Sequence, residues 1–243
     1  MDQGQVDSWF SKLPPFGIVR SYGVDCNQVS TMISAAKANN MKVFLGIFDL
    51  SQASSEISTL ISGVNGDWSG VWAVSIGNED VNQGKAAPAD VVTALNNGRT
   101  QLRSAGYNGP VVHVDTFNQI IDHPEMCENS DFAAANCHAF FDPNTSAQNA
   151  GDFVLNQAQQ VAKACGGKNT WITESGWPHA GLTNGQAVPS PENQQDALNS
   201  LRSKFSSNII FFSAFNDLWK VNNAGTFDAE QCWGMFDSDI KGF

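Results

Sequence analysis

Positive charge is scarce in this chain: 13 Lys and Arg stand against 24 Asp and Glu in 243 residues, a formal net charge of −11. A surface so acidic gives no electrostatic footing to nucleic acid or to an anionic membrane. A neutral glycan would need no such attraction. No apolar run reaches the ~18 residues of a membrane-spanning helix. The opening Met1-Asp2-Gln3-Gly4-Gln5 lacks the charged and apolar start of a signal peptide, so the chain reads as a processed form with an added Met or as a fragment. Solenoid-type repeats are missing. With four His and no ligand spacing, neither a metal centre nor another cofactor is expected. The five cysteines, Cys26, Cys127, Cys137, Cys165 and Cys232, show no C-x-x-C spacing. They read as disulfides of a secreted protein with one left over. Asn144-Thr145-Ser146 is either a glycosylation sequon or an ordinary polar loop.

What the chain does have is alternation. Strand-like runs occur at Gly17–Ser21, Lys42–Ile47, Val71–Ile76, Pro110–Val114, Ala133–His138, Thr170–Thr173 and Ile209–Ser213. Helical periodicity fills Asn27–Asn39 (with Asn27 as N-cap), Ser51–Gly63, Pro88–Gly106, Ala150–Cys165 and Pro191–Phe205, and the chain opens with a helix-like Gln5–Leu13. Strands alternating with helices predict a parallel sheet with helical crossovers. At 42% hydrophobic content, residues 1–243 can bury one core as a single α/β domain.

Two of the strands end alike. Thr170-Trp171-Ile172-Thr173 runs into Glu174, and Ser175-Gly176-Trp177-Pro178 forbids any continuation. Val71-Trp72-Ala73-Val74-Ser75-Ile76 runs through Gly77-Asn78 into Glu79, 95 residues earlier. A parallel barrel gathers its strand ends on one face, so two such carboxyls could work there as a pair. Glycosidic cleavage needs that pair, one protonated for the leaving oxygen and one ionised for the anomeric carbon. Taken singly, each Glu reads better as a strand cap; the two with their flanks favour catalysis.

These stretches resemble glycoside hydrolase family 17, the β-1,3-glucanases and glucanosyltransferases. Asp25-Cys26-Asn27-Gln28-Val29, Asn136-Cys137-His138-Ala139-Phe140-Phe141, the run from Ala187 to Gln194 and Phe215-Asn216-Asp217-Leu218-Trp219-Lys220 extend the resemblance to the fungal cell-wall branch over nearly the whole chain. The resemblance implies a (β/α)8 TIM barrel lacking its first strand, with Glu79 and Glu174 ending the fourth and seventh strands of a full barrel. The tail Asp239–Phe243 could fill the vacant slot, and Cys26 would have lost a partner in the missing first loop.

Further roles follow from the resemblance. Glu79 would be the acid/base and Glu174 the nucleophile of a retaining enzyme, with Asn78 holding the sugar 2-hydroxyl. Tyr22 would contact the nucleophile or a sugar, or simply pack. His138 would be a cleft or structural histidine, and Asp115 a rim contact or an orienting group. Phe48, Phe141, Trp177 and Trp219 would offer faces for pyranose stacking, while Trp9, Trp68 and Trp72 pack. Asn216, Asp217 and Lys220 complete the pattern, and Ser213 replaces a carboxylate that some relatives carry. The expected protein is a secreted or cell-wall monomer acting on β-1,3-glucan by hydrolysis or transfer. Its alternative is a non-catalytic wall component with a degenerate glucan cleft.

Overall fold

The computed structural model describes residues 2–13 and 16–236. Seven strands follow chain order in one sheet: β1 (Ile18–Arg20), β2 (Lys42–Ile47), β3 (Val71–Asn78), β4 (Val111–Thr116), β5 (Ala133–Asn136), β6 (Thr170–Ser175) and β7 (Ile209–Phe211). The helices are α1 (Gln3–Phe10), α2 (Gln28–Ala38), α3 (Ala53–Val64), α4 (Pro88–Ser104), α5 (Phe117–Asp122), α6 (Glu125–Glu128), α7 (Ala150–Ala164) and α8 (Pro191–Lys204). Every expected strand and long helix is present, with ends shifted by a few residues. The short α5 and α6 carry too few turns to leave a periodic signal. Asn27 does not cap α2 as expected: it is left-handed, with φ of 59°, and its side chain makes no cap bond. The tail Asp239–Phe243 lies outside the described residues.

The chain clusters into two compact units, one of residues 1–135 with 161–170, the other of 136–160 with those from 171 on. In the first unit, β1 pairs with β2, β2 with β3 and β3 with β4, all parallel. Such strands are covered on both faces, which is why Val43–Ile47 is apolar and buried without interruption. Helical spacing does the rest. Ile57, Leu60 and Val64 of α3 and Val91, Leu95 and Leu102 of α4 bury one stripe each. Pro88 occupies the first turn of α4, where its missing N–H costs nothing. Trp68 donates to Ala105 O at 3.0 Å and Trp72 packs edge-on to Phe44, so both half-buried rings pack as expected.

A disulfide between Cys127 and Cys165 closes 38 residues within this unit. On the chain-entropy account such a loop contributes about 4 kcal/mol. Beside it, Lys168 Nζ donates to the carbonyls of Cys127, Glu128 and Ser130. The expectation of a single left-over cysteine fails, because Cys137 and Cys232 are also thiols. Cys137 is buried, and that burial pushes its thiol well up. Cys26 is exposed, with its Sγ 3.6 Å from Asp25 Oδ2.

In the second unit, β6 pairs in parallel with β7. Ser190 caps α8 by accepting from Asn193 N at 3.1 Å, with Pro191 at the first turn. Ser200 of α8 accepts from Gly151 N at 2.9 Å and donates to Gln148 O at 2.7 Å, locking α8 onto the start of α7. A knot of rings forms the remaining core: Phe140, Trp177, Phe212, Phe227 and Trp233.

Candidate active site

At the carboxyl end of β3 the chain makes an uncommon turn. Glu79 is left-handed, with φ of 58°; for a residue with a Cβ that costs about 1–2 kcal/mol. Gly77 is left-handed as well, and a Cβ there would strike the Asp80 carboxylate and the His113 ring. Hydrogen bonds offset the strain. Glu79 N donates to Val114 O at 2.9 Å, and Gln83 N donates to Glu79 O at 2.9 Å. Asp80 Oδ2 accepts from Asn78 N at 2.9 Å, while Asp80 O accepts from Lys85 N at 2.8 Å.

The same turn is held from β4. Asp115, expected as a rim contact or as an orienting group, is fully buried. Its oxygens accept from Val81 N at 3.0 Å, Asn82 N at 3.3 Å and Thr116 N at 2.8 Å. With His113 Nε2 3.3 Å from Oδ2 as well, the carboxylate is turned to the protein and not to a sugar. The Asp80 carboxyl is raised above the ordinary carboxylate range, chiefly by burial. His113, the Asn78 N–H and Lys85 pull it back, while the Asp115 charge pushes it further up.

Asn78 and Tyr22 meet the same guanidinium. Arg20 Nη2 donates to Asn78 Oδ1 at 2.8 Å, and its guanidinium lies 4.5 Å from the Tyr22 ring centroid. The amide of Asn78 is therefore oriented, with its NH2 turned away from Arg20. Phe48 is 44% exposed, with Lys85 Nζ 5.5 Å from its ring centroid.

Glu174 is held differently. It is the penultimate residue of β6, in regular strand, and it is buried. Its carbonyl accepts from Cys137 N at 2.9 Å, and Thr173 Oγ1 donates to Asn136 Oδ1 at 2.8 Å. His138 Nε2 stands 3.3 Å from Glu174 Oε2. The other ring nitrogen, Nδ1, is buried without a hydrogen-bond partner among the described residues. A proton left there would be unsatisfied, so Nε2 carries it and donates to the carboxylate. Edge contacts with Phe212 at 5.3 Å, Trp233 at 4.9 Å and Phe141 at 6.1 Å fix the ring.

Regular strand ends at Gly176, where any Cβ would collide with Phe212 O. Beyond it, two expectations need correction. Trp177 is 0% exposed, its N–H donates to Val188 O at 3.0 Å, and its ring packs on Phe140. It offers no face for stacking because the chain after Gly176 turns it inward. Asn216 is buried too. Its Oδ1 accepts from Gly234 N at 2.8 Å and faces His179 Nε2 at 3.1 Å, which makes it a brace for the loop after β7. Phe141 and Trp219 do present surface, at 43% and 61% exposure. Lys220 lies between Asp217 at 3.4 Å and Glu230 at 3.5 Å, above the Phe212 ring. Ser213 donates to Phe215 O at 2.7 Å.

The sequence did not single out His113, Asp80, Phe212 or Trp233, nor Arg20 as the partner of Asn78. His113 had a usable signal. In Val111-Val112-His113-Val114-Asp115 the period of two puts its only polar pair on one face of an otherwise apolar strand. The ring knot had none, since its members come from three stretches far apart in sequence, beyond β5, β6 and β7.

Comparison with known proteins agrees along nearly the whole chain. The model of the BtgE/BtgC glycoside hydrolase domain matches residues 1–234. A cell surface mannoprotein of Candida albicans is 46% identical over 97% of this chain and 62% of its own length. A probable family 17 glucosidase of Saccharomyces cerevisiae is 47% identical over 97% of this chain and 61% of its own. The chain thus spans about three fifths of the length of these curated relatives. Among solved structures, the glycoside hydrolase family 17 β-1,3-glucanosyltransferase of Rhizomucor miehei matches with a TM-score of 0.84 at 23% identity, covering 96% of this chain and 87% of that one. An active-site mutant of that enzyme, in complex with laminaritriose, matches at 0.83 and 22% identity over the same shares. At such identity the likeness shows the fold, a TIM-type barrel, with seven strands among the described residues here. By the match over residues 1–234, this chain belongs to the BtgE/BtgC glycoside hydrolase family.

Proposed function

We propose that this protein is a retaining glycoside hydrolase acting on β-1,3-glucan, by endo-hydrolysis, glucanosyl transfer or both. Glu174 is the nucleophile and Glu79 the acid/base. The observation that carries the reading is that each glutamate stands at the carboxyl end of a strand of a TIM-type barrel, where such folds do their chemistry. The names of the relatives, a family 17 glucosidase and a β-1,3-glucanosyltransferase, support the substrate class.

Retention requires the two carboxyl groups ~5 Å apart. The Glu174 carboxylate attacks the anomeric carbon as Glu79 protonates the departing glycosidic oxygen, giving a covalent glycosyl-enzyme. Glu79, now a carboxylate, takes a proton from the incoming hydroxyl, whose oxygen displaces Glu174. With water the outcome is hydrolysis; with a sugar hydroxyl it is transfer. His138 holds the nucleophile by donating from Nε2, in a pocket of rings that keeps water from competing. Asn78, oriented by Arg20, turns its NH2 to the sugar 2-hydroxyl. Phe141, Trp219 and Phe48 supply stacking faces, with Tyr22 and Lys220 as polar neighbours. The protein works outside the cell or in the wall, in keeping with its disulfide and with a cell surface relative.

Incubation with laminarin oligosaccharides and analysis of the products tests this. Shorter products mean hydrolysis, and longer ones mean transfer. Binding without turnover would overturn the catalytic reading in favour of a glucan-binding wall protein.

A further inference from the structure

The most heavily charged interior lies beneath the Glu79 turn, and none of the roles above uses it. His113 and its neighbour two residues on, Asp115, are both fully buried on one face of β4. His113 Nδ1 is 2.8 Å from Ile76 O, a carbonyl that can only accept. His113 Nε2 is 3.3 Å from Asp115 Oδ2. That carboxyl already accepts three backbone N–H bonds, so its oxygens stand as acceptors. Both ring nitrogens therefore face acceptors, and a neutral imidazole would set a lone pair against one of them.

From this geometry we infer that His113 is a buried imidazolium and a positioning residue for the acid/base, clamping the strained turn that aims Glu79. The inference rests on the proposed role of Glu79. The clamp has two arms. One N–H holds Ile76 O, the last carbonyl before the left-handed Gly77. The other holds Asp115, which in turn holds the two N–H groups that follow Asp80. Between the arms the ring is in such close contact that a Cβ on Gly77 would strike it. A positive ring also balances the charge of the site. It faces Asp115 on its own strand and Asp80 on the turn, with Lys85 beyond Asp80 and Arg20 on β1 beside Asn78. In the deepest layer the ring meets the Asp115 carboxylate directly, while burial raises the Asp80 carboxyl toward its neutral form. The role requires that both protons stay on the ring at the pH of catalysis.

Two measurements test this, and the first needs neither a variant nor activity. Nitrogen-15 imidazole spectra of the whole protein should show both His113 nitrogens protonated at neutral pH. A single protonated nitrogen would overturn the inference and leave the proposed function untouched. The second compares His113→Gln with the parent on laminarin and on an aryl β-glucoside whose leaving group needs no acid. A mispositioned acid should cut kcat on laminarin ~100-fold or more, while the aryl substrate stays within about threefold. Equal losses on both, or no loss, would mean His113 does not act through Glu79. If His113→Gln fails to fold, Asp115→Asn removes the same arm, and the same split decides. Should the parent itself turn over neither substrate, the functional reading fails, and the spectra still decide the charge of the ring.

Discussion

The surroundings of Glu79 and of Glu174 are built on opposite principles. Around Glu79 the backbone is strained and the support is polar: left-handed Gly77 and Glu79, the Asp80 and Asp115 carboxylates, and His113 beneath. Around Glu174 the backbone is regular strand and the support is aromatic, a histidine wedged among Phe141, Phe212 and Trp233. The difference fits the two tasks proposed for them. A proton carrier must be aimed in two directions of transfer, and hydrogen-bonded turns set direction finely. A nucleophile must be stiff and dry, and packed rings supply that.

The contrast breaks most sharply at the two glutamates. Glu174→Gln should abolish formation of the glycosyl-enzyme while glucan still binds. Activity within a few-fold of the parent would sink the nucleophile assignment. Glu79→Ala should slow laminarin turnover ~100- to 10,000-fold and yet form the intermediate from an aryl glucoside. Azide should then rescue breakdown, giving a glycosyl azide of retained configuration. Loss of the first step, with no rescue, would mean that the two roles are exchanged.

How legible each region was in the sequence follows the same division. The seven strands could be read because buried parallel strands are continuous apolar runs, and Glu79 and Glu174 could be read because each closes such a run. The support of Glu79 was half legible: His113 and Asp115 show as a polar pair in β4, but nothing local says that they face the β3 turn. The support of Glu174 was hardly legible at all. Phe140, Trp177, Phe212 and Trp233 converge from separate loops, and which ring faces outward depends on close approaches such as that at Gly176. Trp177 was misjudged for that reason. A ring two residues beyond a strand end may be rim or core in equal measure until the turn is known.

The aromatic side of the comparison sharpens by truncating one ring inside it and one at its surface. Trp177→Ala empties a fully buried site and should cost about 3–5 kcal/mol, lowering Tm by roughly 10 °C. Trp219→Ala, at 61% exposure, should leave Tm within a degree or two. Its effect should appear in binding, as a roughly tenfold rise in Kd for laminarin oligosaccharides. If Trp219→Ala melts early and binds normally, that ring belongs to the packing and the stacking faces must be sought elsewhere.

The polar side yields the smallest effect and the most specific sign. Asp80 is nearly buried and its carboxyl is raised, with burial the leading cause and the Asp115 charge adding to it. A group raised on folding favours the protonated native state. Its contribution is complete below the unfolded value, ~3.9 for Asp, and is lost as pH climbs through the raised folded value. Above that raised value the parent carries the cost of a buried charge. Asp80→Asn keeps an oxygen to accept from Asn78 N and cannot titrate. The Tm of the parent should thus fall relative to that of Asp80→Asn as pH rises from about 4 to about 7. The opposite trend would mean that His113 and Lys85 outweigh burial at Asp80. The deepest layer would then hold two carboxylates, Asp80 and Asp115, against the single imidazolium, and the charge balance argued for the Glu79 turn would be wrong.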